Sequence, residues 1–433
     1  MLDESNTGLD IKSRIGEDRN ALTSHLEATL VDTDPKRGGF APDRINRITE
    51  HLNRNYIEPG KITGCQTLVT RHGHLAYFKS LGLMDRERRK PVADDTIFRL
   101  YSMTKPIASV ALMTLYEQGY FQLNDPVSRF IPSWRDHKVW VSGEGASMVT
   151  AAPARPMTMR HVLSHTGGLT YGATNHPVDR IYREVGVGRG VGETLEGFAE
   201  KLAKVPLRYA PGERWMYSLS TDVCGYLVET ISGKRFDEYL QENIFDPLGM
   251  KDTSFMVASR KLDRFAANYQ REQDKTLKLI DDPERSNYLK QPTFFSGGGG
   301  LTGTTADYLR FCEMLRRGGE LDGARILGPR TIEIMHRNHL AGDKDLTQMA
   351  IGGFSETANE GVGFGLGFAM TLGQVETGAL GGGDYYWGGA ASTIFWVDPK
   401  EDMVVIFMTQ LMPSGTFNFR GQLRNIIYSA IVD

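Results

Sequence analysis

Ser102 and Lys105 stand three residues apart in the run Leu100-Tyr101-Ser102-Met103-Thr104-Lys105-Pro106. On a helix that spacing puts both side chains on one face, within reach of each other. Pro106 tolerates an early helical position, which sets Ser102 near the helix N-terminus, where the backbone dipole favours a developing oxyanion. A serine is a poor nucleophile until a neighbour takes its proton, and a poorly hydrated lysine is suited to that task. The chemistry this pair could do is acyl transfer through a serine ester. Taken alone, Ser-x-x-Lys is more often a helix cap beside a surface lysine.

Four further segments change that reading. They are Met157-Thr158-Met159-Arg160-His161-Val162-Leu163-Ser164-His165-Thr166-Gly167-Gly168-Leu169, Pro211-Gly212-Glu213-Arg214-Trp215-Met216-Tyr217-Ser218, Gly299-Gly300-Leu301-Thr302-Gly303-Thr304-Thr305-Ala306-Asp307 and Trp387-Gly388-Gly389-Ala390. In this order and spacing the chain resembles the serine β-lactamase and penicillin-binding fold. Within it, the chain looks most like the family VIII carboxylesterases, which are similar to class C β-lactamases. The resemblance spans roughly residues 40–430.

The resemblance implies an α/β fold, an antiparallel sheet flanked by helices with a mainly helical domain beside it. It implies Ser102 as the acylated nucleophile, Lys105 as its partner and Tyr217 as the phenol that exchanges protons with nucleophile and leaving group. It implies an oxyanion hole from the N–H groups of Ser102 and Ala390, each such donor being worth about 3–4 kcal/mol. Trp387, Gly388 and Gly389 stand where β-lactamases carry Lys-Thr-Gly, and Leu219 where they usually carry Asn. Trp387 removes a positive charge near Tyr217 and suits an uncharged acyl or alcohol group. Leu219 removes a donor and acceptor for an amide. Both changes point to simple esters, with weak attack on a lactam as a side activity. No cofactor and no metal are implied.

The elements that must position these residues are partly readable. Pro42-Asp43 opens a predicted helix with Ile45, Ile48 and Leu52 at helical spacing. Thr67 to Val69 and Leu75 to Phe78 are β-rich runs around Arg71-His72-Gly73-His74, which reads as a hairpin. Pro106 to Glu117 reads as a helix, and residues 119–295 as mainly helices and loops. Thr304 to Asp307 has the form of a capping box. Thr393 to Val397 and Met403 to Met408 read as strands, and Arg420 to Val432 as a helix. Three parts follow: an extension and linker over 1–40, a sheet domain from 41–106 and 296–433, and a helical domain over 107–295.

Other features look chemical but have plainer readings. His161 and His165 are four apart, yet no Glu follows His161 in the manner of a zinc helix, and a packing and turn role fits better. His72-Gly73-His74 reads as a solvated turn. Ser296-Gly297-Gly298-Gly299-Gly300-Leu301 lacks the Lys-Ser/Thr of a phosphate loop and predicts a close backbone approach instead. The charges Arg86-Glu87-Arg88-Arg89-Lys90 read as a solvated loop. No Gly-x-Ser-x-Gly elbow is present.

Composition bounds the rest. The chain has 433 residues, 40% hydrophobic, with a net charge of -3. That supports a sizeable core and argues against a nucleic-acid partner, which would need an excess of Lys and Arg. No apolar run approaches the ~20 residues of a membrane span. Cys65, Cys224 and Cys312 are distant and odd in number, so a reducing, cytoplasmic setting is expected. The expected partner is a small ester. The rivals are a β-lactamase or D-Ala-D-Ala peptidase, an acyltransferase using the same acyl-enzyme, and a catalytically silent binding protein. Sequence leaves open which of Lys105 and Tyr217 is the base.

Overall fold

A computed structural model describes residues 33–188, 192–351 and 360–433. Its frame is an eight-stranded, wholly antiparallel sheet built from both ends of the chain. The strands are β1 (Gly64–Arg71), β2 (His74–Asp85), β3 (Lys90–Pro91), β4 (Val362–Phe364), β5 (Ala369–Thr371), β6 (Tyr385–Gly388), β7 (Ile394–Asp398) and β8 (Met403–Thr409). Across the sheet they run β4-β5-β6-β7-β8-β1-β2-β3, so β1 and β8 join the two ends of the sequence, Cys65 opposite Thr409 and Leu68 opposite Ile406.

Every residue of β1, β7 and β8 is buried. Continuous apolar runs such as Met403-Val404-Val405-Ile406-Phe407-Met408 are what a sheet covered on both faces requires. On one face Phe395 meets Tyr308 at 5.0 Å between ring centroids, carried by a helix over Thr305–Arg316. On the other, Phe407 meets Phe419 at 4.9 Å, carried by the C-terminal helix Phe419–Tyr428. We label the helices that matter below α1 (Thr104–Glu117), α2 (Ser220–Ser232) and α3 (Thr305–Arg316). The predicted N-terminal helix is present as two short turns, Pro42–Ile45 and Arg47–Leu52, with Ile45, Ile48 and Leu52 buried. Residues 1–32 lie outside the described set, but Phe40 is buried and bridges to Ile431, so the stretch just before the first helix is docked onto the body.

Several expectations need correction. The C-terminal helix stops at Tyr428, and Ile431 pairs with Phe40 instead. Residues 119–295 contain strands as well as helices: Asn268–Arg271 and Leu277–Asp281 form a hairpin, and Leu411–Met412 adds to it in parallel. At α3 only half of the capping box forms. Thr304 Oγ1 accepts from the Asp307 N–H, while the Asp307 carboxylate accepts from Asp252 N–H and Thr253 Oγ1. The run 86–90 is not simply solvated, because Arg88 forms ion pairs with Asp85, Asp282 and Glu284 and ties β2 to the second hairpin. The turn at His72-Gly73 is as expected, both residues having positive φ. Cys65, Cys224 and Cys312 are free and buried, and burial pushes all three thiols up, so they are poor nucleophiles.

Candidate active site

The site is assembled from four pieces: the turn entering α1, the loop entering α2, the end of β6 and the glycine run before α3. Ser102 lies in a 3₁₀ turn, Tyr101–Met103, that leads directly into α1. Lys105 is in the first turn of that helix and is only 1% exposed. Its ammonium nitrogen donates to Ser102 Oγ at 3.1 Å and to the Gly298 carbonyl at 2.6 Å. The spacing of three residues therefore places the pair in contact, as helical geometry demands.

The nucleophile turn is held under strain. Tyr101 has φ of +45°, a left-handed conformation that costs an ordinary residue about 1–2 kcal/mol. Its neighbours over-determine it. Tyr101 Oη accepts from Asn268 Nδ2 at 2.9 Å, and the Leu100 N–H donates to Leu301 O at 3.0 Å. Gln410 grips the main chain of Arg99 on both sides, accepting from its N–H and donating to its carbonyl, each at 3.1 Å. The buried Arg99 guanidinium donates to Asp281 at 2.7 Å and to Ala266 O at 2.5 Å.

Tyr217 precedes α2, and Leu219 is the N-cap position of that helix, half-buried against the core. The Lys105 ammonium stands 4.5 Å from the centroid of the Tyr217 ring and 5.7 Å from that of Tyr171. On β6, Trp387 is 1% exposed and packs on Tyr217 and Phe364, with ring centroids 5.4 and 5.3 Å away. Its indole N–H donates to Tyr217 Oη at 3.4 Å. Trp387 therefore faces the phenol rather than open solvent, and its N–H gives that oxygen a neutral donor where a lysine would give a charged one.

Beyond β6 the chain turns sharply. Gly389 N–H donates to Thr393 O at 2.7 Å and Ser392 N–H to Gly389 O at 2.9 Å, with Ser392 at φ +65°. A Cβ on Gly389 would fall 2.4 Å from Leu100 O. Only glycine allows this backbone to lie against the nucleophile turn, and that contact brings the Gly389-Ala390 peptide alongside Leu100-Tyr101-Ser102. Gly388 is crowded too, by Thr393 O and the Arg420 guanidinium.

Sequence reasoning missed three members of this surround. His165, read as a packing residue, is wholly buried at φ +55°, with its ring 5.1 Å from that of Tyr217. Its carbonyl accepts from the Met216 N–H, and its ring nitrogens meet Ser218 Oγ at 3.2 Å and Thr221 Oγ1 at 3.4 Å. Burial, with the Lys105 charge nearby, holds its imidazole well below the ordinary range and so neutral. The Gly298 carbonyl is the second, and it has no side-chain signature. Asp222, five residues after Tyr217, is the third. His161 packs apart from these: burial beside Arg155 and Arg160 holds it down to about 4, and its Nδ1 accepts from Thr158 N–H. Among the described residues no cluster of His, Cys, Asp and Glu could hold a metal ion, and no helix is long and apolar enough to cross a membrane.

A serine paired with a buried lysine, a phenol and an indole, beside a glycine-built turn at the end of an interior strand of an antiparallel sheet, defines a β-lactamase-fold serine hydrolase. The chain belongs to the Beta-lactamase family, whose profile matches residues 49–427. It is 30% identical over 375 residues to Esterase EstB of Burkholderia gladioli, covering 82% of this chain and 88% of that one. Among solved structures it is similar to EstCE1, described as a hydrolase with promiscuous acyltransferase activity, with a TM-score of 0.76 at 28% identity, over 89% of this chain and 99% of that one. It is also similar to a variant of simvastatin synthase from Aspergillus terreus, with a TM-score of 0.73 at 25% identity, over 91% and 97%. Ester hydrolysis and acyl transfer are thus the activities represented among its relatives.

Proposed function

We propose that the protein is a carboxylesterase that hydrolyses short-chain esters through an acyl-enzyme on Ser102. The observation that carries this reading is the Lys105 ammonium 3.1 Å from Ser102 Oγ, in a pocket shared with Tyr217 and Trp387. The attacking state holds one proton fewer than ammonium plus phenol, as amine with phenol or ammonium with phenolate. Ser102 gives its proton to the basic member of that pair as Oγ attacks the ester carbonyl. The Ser102 and Ala390 N–H groups receive the oxyanion. Tyr217 returns a proton to the departing alcohol, and water then attacks the acyl-enzyme with the same pair acting in reverse.

Two features favour esters over lactams. Trp387 offers no cation to a substrate carboxylate, and Leu219 offers no amide contact. A panel of p-nitrophenyl esters beside a chromogenic cephalosporin tests this on one sample. Faster turnover of the short neutral esters is expected. Preferential turnover of the cephalosporin would overturn the reading, and Trp387→Lys should raise affinity for the anionic lactam.

A second reading, acyl transfer to an alcohol acceptor, is favoured by the likeness to EstCE1 and simvastatin synthase. It shares every step up to the acyl-enzyme. The ratio of transfer to hydrolysis product, measured with and without added alcohol, separates the two. We read the compartment as cytoplasmic, in keeping with three free cysteines.

A further inference from the structure

The buried lysine leans on a loop that is itself held by a buried acid. Asp222 is 2% exposed and lies in the first turn of α2. Its Oδ1 accepts from Ser296 Oγ at 2.5 Å and from the Gly298 N–H at 3.0 Å. The carbonyl of that same Gly298 accepts from Lys105 at 2.6 Å. A single peptide unit on each side of one residue therefore links carboxylate to ammonium. The fit is close: a Cβ on Gly298 would stand 2.6 Å from Asp222 Oδ2, and one on Gly297 would stand 2.4 Å from Thr221 O. The glycine run is thus the close backbone approach expected from sequence, and what it approaches is the start of α2.

We propose that Asp222 is a positioning residue for Lys105, fixing the amine against Ser102 through the Gly298 carbonyl and supplying the negative charge that balances it. This rests on the reading of Ser102 as the acylated serine. A carboxylate taken out of water is costly unless hydrogen-bonded and balanced by charge. Here the two donors from the 296–298 loop satisfy it, and Lys105 is the cation whose charge acts on it. Among the described residues, Lys105 also overlies the rings of Tyr217 and Tyr171, and its charge acts on His165, which stays neutral. Of the groups named, only Asp222 is a carboxylic acid. A helix-start acid that merely complements the dipole would have no need of the Gly298 peptide or of a lysine beyond it.

Burial raises the Asp222 carboxyl above its ordinary range, against the pull of Ser296, Lys105 and Gly298. Its folded-state charge is accordingly present above that raised value and lost as the pH falls through it. His165, the other acid-side group near Lys105, is held well below its ordinary range by burial and by the Lys105 charge.

The test uses the full chain, a neutral p-nitrophenyl ester and a serine-directed phosphonate. Wild type must first give a phosphonate adduct at Ser102 by mass spectrometry. Without one, the esterase reading fails and takes this proposal with it. With one in hand, Asp222→Asn is compared, since the amide keeps an acceptor oxygen but mimics the uncharged acid. We expect kcat to fall about tenfold with KM within twofold, and the acid-side decline of wild type to vanish from the variant's profile. Wild-type kcat with an unchanged acid limb would overturn the role of Asp222 while leaving the esterase intact. Should Asp222→Asn not fold, Ser296→Ala carries the test. Losing that donor should move the acid limb to higher pH with the melting temperature little changed, and an unmoved limb would count against the proposal.

Discussion

The starts of α1 and α3 each carry a threonine, Thr104 as the first helical residue and Thr304 as the N-cap, and the two are used differently. At α3, Thr304 Oγ1 accepts from the N–H of Asp307, so the helix satisfies its own first turn. At α1 no side chain caps the helix, and Thr104 Oγ1 accepts instead from the N–H of Leu301, across the molecule. The residue just before the nucleophile, Tyr101, is held at positive φ, whereas Thr304 is relaxed in the extended region. The start of α3 is optimised for itself. The start of α1 gives up local satisfaction so that Ser102, Lys105 and the glycine run are fixed against one another, and the rest of the fold carries that cost.

The sharpest break of this contrast is Ser102→Ala. It should reduce ester turnover by at least ~10³-fold, with melting temperature close to wild type, by p-nitrophenyl acetate assay and thermal denaturation. Retained turnover would remove Ser102 from the mechanism. Next, Tyr217→Phe should lose ~10²-fold in kcat, the usual scale for a general acid or base, and a near-normal rate would reduce the phenol to packing. The strain at α1 can be isolated by comparing Tyr101→Gly with Tyr101→Ala. Both lose the Asn268 contact, but the glycine variant should be the more stable by about 1 kcal/mol in denaturant titration, because φ +45° suits it. At the control helix, Thr304→Ala should cost about 1 kcal/mol of stability and leave kcat/KM unchanged. A large catalytic loss there would erase the distinction between the two starts.

What could be read in advance follows the same division. The contact of Ser102 with Lys105 is legible because helical spacing is a local property, although its chemical meaning needs the further segments, and β1, β2, β7 and β8 are legible because buried strands leave apolar runs. Tyr217 and Trp387 could be found only through the order of segments along the chain, since nothing local sets a tyrosine before a helix apart from others. Gly298 contributes a carbonyl, which any residue has, and Asp222 has the local form of any first-turn acid. The positive φ of Tyr101 is imposed by Asn268, Leu301 and Gln410, none of them near it in sequence. The hairpin Asn268–Arg271 and Leu277–Asp281 escaped because it is short, although Leu277-Lys278-Leu279 does alternate. Its third strand comes from residues 411–412, which no local pattern could reveal.

The grip of Gln410 on Arg99 spans 311 residues, and that sets an order of events during synthesis. At about 5–20 residues per second, the ribosome needs roughly 15–60 s after making Ser102 before it makes the glutamine that anchors Arg99. Throughout that interval β1 has no β8 to pair with. The nucleophile turn is therefore anchored only once residue 410 has been made, so that reactivity arrives with the finished sheet.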